Sequence, residues 1–147
     1  MSSAEFPATN TRLGYLLKHA LARYEELSAA TLESLDLTGR ELGVLLTLAE
    51  GEPPSQQEAA LRIGIDRTTM VAFLDALEGK GLLARHPSAE DRRRNVVELT
   101  KAGRRTLRAA VRATDAAEAE FLAALDEADA RRFRDSLRLL VVEQSQE

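Results

Sequence analysis

Between about Asn10 and Glu33, apolar side chains fall at Leu13, Leu16, Leu17, Ala20, Leu21, Tyr24 and Leu27, the spacing of one stripe along an α-helix. At about 1.5 Å per residue the segment predicts a helix roughly 36 Å long, enough to reach beyond a small compact domain. A second run, "TGRELGVLLTLAEG", opens at Thr38, whose hydroxyl caps exposed amides, with Glu41 three residues on as the other half of a capping box. Gly51 and the Pro53-Pro54 pair end it. "SQQEAALRIG" repeats the start signal with Ser55 and Glu58 and stops at Gly64. In "IDRTTMVAFLDALEGKG", Asp66 is the N-cap, Met70, Val71, Phe73, Leu74 and Leu77 carry the helical pattern, and Gly79 or Gly81 supplies the exit.

The period then changes. "LLARH" reads as a short strand, "PSAEDRRR" as an exposed loop and "NVVEL" as a strand returning antiparallel, after which Thr100 caps the long helix "TKAGRRTLRAAVRATDAAEAEFLAAL". Asp126 caps a last helix in the segment running to Gln144, with Ala130, Phe133, Leu137, Leu140 and Val141 on one stripe. The fold class predicted is mainly α with a small β-hairpin wing. Two short capped helices joined by about four residues make a helix-turn-helix, and a hairpin directly after the second is the wing of a winged helix. The organisation expected is an N-terminal dimerisation helix at 1–37, a winged helix-turn-helix at 38–100 and C-terminal dimerisation helices at 101–147. The terminal stripes exceed what one small domain covers, and a two-fold homodimer buries them; packing within one monomer is the alternative.

Charge sharpens the picture. The chain of 147 residues has a formal net charge of -4, yet residues 62–108 carry 11 Lys or Arg against 6 Asp or Glu, a local excess of +5. A basic region on an acidic chain presents one face to a polyanion, and a wing tip carrying Arg92, Arg93 and Arg94 is placed to meet a DNA backbone or minor groove. The absence of cysteine excludes disulfides, thiolate catalysis and cysteine-ligated metals. The first residues, "MSSAEFPATN", lack the basic start and apolar run of a secretion signal, and no apolar stretch approaches about 18 residues, so the cytoplasm is expected and a membrane is not. The two histidines, His19 and His86, have no short carboxylate-histidine metal pattern, and neither a nucleophile elbow nor a phosphate loop is present. No catalytic residue, metal ligand or cofactor is assigned, and an enzyme is not expected.

"LTGRELGVLLTLAE" at 37–50, "QQEAALRIGIDRTTMVAFLDALEGKGLLAR" at 56–85 and above all "DRRRNVVELTKAG" at 91–103 resemble the MarR family of winged-helix regulators. The last joins the family's wing motif, Asp-x-Arg, to its Leu-Thr-x-x-Gly strand-to-helix junction. The resemblance implies a homodimer whose first and last helices intertwine, each subunit offering one winged helix to a palindromic operator on double-stranded DNA, most simply as a repressor. Within it, Thr68 and Thr69 lie in the first turn of the recognition helix, where their hydroxyls reach base edges or phosphate, and Arg67 bridges the backbone or a guanine. Val71 and Ala72, with Ala76, are apolar where many members are polar or basic; thymine methyls suit Val71 and Ala72, and discrimination falls more on the wing. Asp91 is expected to orient a neighbouring arginine through a charged hydrogen bond, Arg93 matches the family's inserted arginine, and Arg92 and Arg94 face phosphate. A wing that is only a solvated turn is the plainer reading. Arg12, Tyr15, His19 and Tyr24 are candidates to touch a small aromatic or lipophilic effector in a cleft between the dimer helices and the winged helix. A winged-helix protein acting mainly through protein-protein contacts is the alternative function.

Overall fold

The computed structural model describes residues 8–142, so the opening segment read for a secretion signal and the last residues of the segment running to Gln144 lie outside them. The elements are α1 (Leu13–Leu32), α2 (Gly39–Ala49), α3 (Gln56–Ile63), α4 (Arg67–Gly79), β1 (Leu83–Pro87), β2 (Asn95–Leu99), α5 (Lys101–Phe121) and α6 (Glu127–Val142). Short 3-10 turns at Thr9–Thr11 and Glu33–Leu35 flank α1, so the first α-helix is shorter than its apolar spacing predicts. The architecture is the expected one, mainly helical with a two-stranded antiparallel hairpin. Two compact units divide the chain, residues 28–115 in one and residues 1–27 with 116–147 in the other.

The unit of residues 28–115 holds the core, in which Leu32, Leu45, Met70, Leu74, Leu77, Leu83 and Val97 are fully buried. Each such side chain contributes on the order of 2 kcal/mol by leaving water. Local chemistry sets the helix starts. Ser55 and Glu58 form a complete capping box, the Ser55 hydroxyl accepting from the Glu58 N–H at 3.2 Å and the Glu58 carboxylate from the Ser55 N–H at 3.3 Å. At α2 the box is only half made. Thr38 Oγ1 accepts from the Glu41 N–H at 3.1 Å, but the buried Glu41 carboxylate takes the Thr38 hydroxyl and, at 2.8 Å, Lys80 Nζ. An ammonium 39 residues away thus displaces the local partner, and it ties the end of α4 to the start of α2; Lys80 Nζ also donates to the Asp36 carbonyl at 2.5 Å. Of the two glycines proposed as the α4 exit, Gly81 makes the turn: at φ +76° it occupies the left-handed region, and the Leu82 N–H returns to the Leu77 carbonyl at 3.0 Å.

Strands β1 and β2 pair from Leu83 opposite Leu99 to Pro87 opposite Asn95. A third backbone segment joins them, with the Val97 N–H donating to the Pro54 carbonyl at 2.9 Å and Ser55 bridging Val96. The hairpin is therefore anchored at the very start of α3. At its base, the Leu-Thr-x-x-Gly junction has a physical reading. Thr100 Oγ1 donates to the Gly81 carbonyl at 2.6 Å and accepts from the Gly103 N–H at 3.0 Å, while the Thr100 N–H donates to the Leu82 carbonyl at 3.1 Å. Gly103 packs so closely on Leu82 that a Cβ there would lie 1.8 Å from the Leu82 carbonyl oxygen.

In the other unit, α5 ends at Phe121, earlier than the predicted run to Leu125, because tight turns close through Leu122–Leu125 and Asp126 caps α6 by accepting from the Asp129 N–H at 2.7 Å. Tyr24 meets the edge of Phe121 at 5.9 Å, and Arg134 pairs with Glu118 at 3.0 Å, joining α6 to α5. These elements line an apolar groove of about 420 Å³ that includes Leu17, Leu21, Phe121, Phe133 and Leu137.

Candidate nucleic-acid interface

The start of α4 is set by Asp66, whose carboxylate accepts from the Thr69 N–H at 2.8 Å and from the Thr69 hydroxyl at 2.6 Å. Those bonds hold the Asp66 carboxyl below its ordinary 3.8, the Thr69 hydroxyl contributing most. They also change what Thr69 offers. Its proton is committed to the cap, so toward a ligand the half-buried hydroxyl presents lone pairs, suited to a base amino group and unsuited to phosphate. Arg67, Thr68 and Ala72 are exposed on the same helix and Val71 is half-buried.

The wing loop is ordered by short-range bonds. Asp91 Oδ1 accepts from the Arg93 N–H at 3.0 Å, its carbonyl accepts from the Arg94 N–H at 3.0 Å, and the Ser88 N–H closes the loop on the Arg94 carbonyl at 2.8 Å. Asp91 therefore shapes the main chain that carries the arginines; the expected bond to a guanidinium is replaced by one to the Arg93 backbone, because a two-residue separation suits an Asx-type turn. All three wing arginines are exposed, with Arg94 Nη2 3.9 Å from Glu58 Oε1. Arg92 and Arg93 make no ion pair among the described residues, which leaves their charge available.

The tertiary fold brings Arg67 of α4 and Arg93 and Arg94 of the wing onto one groove of about 490 Å³, lined also by Ser55, Gln56, Gln57, Leu61 and Asn95. Composition alone did not single out the two glutamines, Leu61 or Asn95. The signal available was position, since Gln56 and Gln57 directly follow the Ser55 cap and Asn95 directly follows the wing arginines. Another residue was hidden in the basic count. Arg85 faces no solvent anion; its Nε and Nη2 grip Glu78 at 3.1 and 3.2 Å, Nη2 meets Asp75 at 2.5 Å, and Nη1 reaches Gln56 Oε1 at 3.2 Å. The Arg85 bonds hold the Glu78 carboxyl below its ordinary 4.5. Lys80 is likewise spent inside the fold, so the positive charge left for a polyanion is concentrated at Arg67 and the wing.

The residues proposed for an effector all lie on or just before α1. Tyr15 and His19 stack with ring centroids 4.1 Å apart, Tyr24 turns toward Phe121, and Arg12 is exposed. The structure brings Tyr15 and His19 together and leaves Tyr24 on the apolar groove without them. Among the described residues no cluster of three or more His, Asp or Glu is gathered for a metal, and no helix is long and apolar enough to cross a membrane.

The family model described as MarR family matches residues 35–94. The transcriptional regulator HosA of Escherichia coli is 30% identical over 107 residues, spanning 72% of this chain and 78% of HosA. The transcriptional repressor CouR, solved bound to a 23-mer DNA duplex, is 34% identical with a TM-score of 0.82, covering 99% of this chain and all of that one. CouR from Rhodococcus jostii RHA1, solved with p-coumaroyl-CoA, is 26% identical with a TM-score of 0.78 over 92% of this chain and 95% of its own. With its winged helix, its Asp-x-Arg wing and these relatives, the chain belongs to the MarR family of transcriptional regulators.

Proposed function

We propose that the protein is a sequence-specific DNA-binding repressor that acts in the cytoplasm as a homodimer on a palindromic operator. The observation that carries the reading is the convergence of Arg67, Arg93 and Arg94 on one groove beside the first turn of α4. A helix N-terminus seated in the major groove with a basic wing beside it is how a winged helix meets a duplex. The Thr69 lone pairs and the Val71 and Ala72 side chains would then face base edges, while Arg67, Arg92 and Arg94 take phosphates and Arg93 the minor groove. Support for the dimer comes from apolar side chains in water: Leu13, Leu21, Leu139 and Leu140 are each more than half exposed. A second copy would cover them and set two readers about one helical turn, roughly 34 Å, apart.

The test is selection of a duplex from random DNA on the purified protein. A recovered inverted repeat bound with salt-sensitive affinity supports the reading, and failure to enrich any sequence contradicts it. Sedimentation at micromolar concentration should give about 32 kDa, twice the 16.1 kDa chain. An effector belongs to the same proposal. CouR's aromatic acyl-CoA ligand and the stacked Tyr15–His19 pair favour a small aromatic or lipophilic compound, with Arg12 as its anion partner and Tyr24 as a further flank. Such a ligand releases DNA only if it binds the two states of the dimer unequally, so displacement of labelled duplex by p-coumaroyl-CoA and by simple aromatic acids is the assay.

A further inference from the structure

Gln56 opens α3 on the wall of the basic groove, and one neighbour fixes which way its amide points. Arg85 Nη1 lies 3.2 Å from Gln56 Oε1. A guanidinium only donates, so the amide oxygen must face it and the amide nitrogen, with two N–H donors, is turned away. Arg85 is itself held by the Glu78 fork and by Asp75, both on α4, and its side chain is only 21% exposed. The chain of bonds from α4 through β1 to α3 thus sets one amide from three elements.

We propose that Gln56 contacts a DNA phosphate through its amide nitrogen and that Arg85 is the positioning residue that aims it. The inference rests on the DNA-binding reading above. Phosphate is the partner because its oxygens only accept, matching a group that only donates toward the groove, and because Gln56 sits at the start of α3, the helix preceding the recognition helix, whose N-terminal N–H groups also favour an anion. Arg85 does not bind DNA itself. Two carboxylates and one amide oxygen occupy its donors, and it cancels part of the negative charge that Asp75 and Glu78 would otherwise show to a polyanion.

Binding to a duplex selected by the wild-type protein, and to its scrambled counterpart, tests this across a series of salt concentrations. Gln56→Ala should weaken both duplexes by about tenfold, one charged-acceptor hydrogen bond's worth, with the slope of log affinity against log salt unchanged, because a neutral amide displaces no counterion. Arg85→Lys keeps the charge but loses the fork, so it should reproduce that loss at the same slope, and the double variant should be no weaker than the weaker single one. Gln56→Glu keeps an oxygen facing Arg85 and removes the donor, so it should bind at least as poorly as Gln56→Ala, whereas a merely structural tie to Arg85 would survive the change. Thermal melting of each variant checks that the dimer remains folded. Wild-type affinity in Gln56→Ala or in Gln56→Glu, or losses that multiply in the double variant, would overturn the proposal while leaving the DNA-binding reading intact. A wild-type protein that selects no duplex overturns both.

Discussion

Replacing Gly103 by alanine adds one methyl group at the tightest backbone approach in the winged helix. Its Cβ would lie 1.8 Å from the Leu82 carbonyl oxygen and 2.8 Å from the carbon, both backbone atoms that cannot rotate away. The start of α5 would have to retreat from Leu82 by about 1.2 Å merely to reach the 3.0 Å that real Cβ contacts respect. Overpacking of this kind costs about 1–3 kcal/mol. The same retreat stretches the bonds from the Thr100 N–H to Leu82 and from the Thr100 hydroxyl to Gly81, at about 1 kcal/mol each. Alanine's higher helix propensity returns about 1 kcal/mol, leaving a net loss of about 2–4 kcal/mol. Gly43, inside α2 with nothing within 4 Å of an added Cβ, is the control. There the propensity term acts alone, and Gly43→Ala should stabilise by roughly 1 kcal/mol. Urea unfolding of the two variants beside the wild type measures both. A Gly103→Ala variant within about 0.5 kcal/mol of wild type would refute the close-packing account of the Leu-Thr-x-x-Gly junction.

Lys80→Met strands the buried Glu41 carboxylate and should destabilise by about 2 kcal/mol, whereas Lys80→Met with Glu41→Met should recover most of it; additive losses in a urea double-mutant cycle would show that the pair is not coupled. Asp66 and Glu78 titrate below their ordinary 3.8 and 4.5 in the folded chain, so their contributions are complete above those values and are lost as pH falls through the depressed ones. The urea midpoint should hold from pH 7 to about pH 5 and decline below, and Asp66→Asn with Glu78→Gln should flatten that decline; parallel profiles would contradict the assignment. Thr69→Ala should alter preference among operator variants with little change in salt dependence, read by competition among single-base changes in the selected duplex.

Sequence reading succeeded where the physics is local. Thr38, Ser55, Asp66, Thr100 and Asp126 each begin a helix because a short polar side chain reaches an amide two or three residues on, and that reach is visible in the spacing. The hairpin was legible for the same reason, as two short strands around a polar loop. It failed where a partner comes from far along the chain. Nothing near Glu41 announces Lys80, and nothing in "LLAR" announces that Arg85 serves Asp75, Glu78 and Gln56 instead of a ligand. The Pro54–Ser55 contact with β2 rests on a single bridge, too short to leave a strand pattern. At the candidate site, Arg67 and the wing arginines were visible as a charge excess, but the residues lining the groove between them are neutral, and only the tertiary fold gathers them.

The central claim is that the wing and the first turn of α4 grip DNA together, and the salt dependence of Arg93→Ala tests it most directly. Arg93 is exposed, forms no ion pair among the described residues, and lines the same groove as Arg67, so its removal should leave the fold unchanged by thermal melting. Titrated against the selected duplex, the variant dimer should bind more weakly and lose roughly 2 from the slope of log affinity against log salt, about 1 for each half-site. Unchanged affinity together with an unchanged slope would mean that the wing does not meet DNA, and the function would move to the protein-binding alternative.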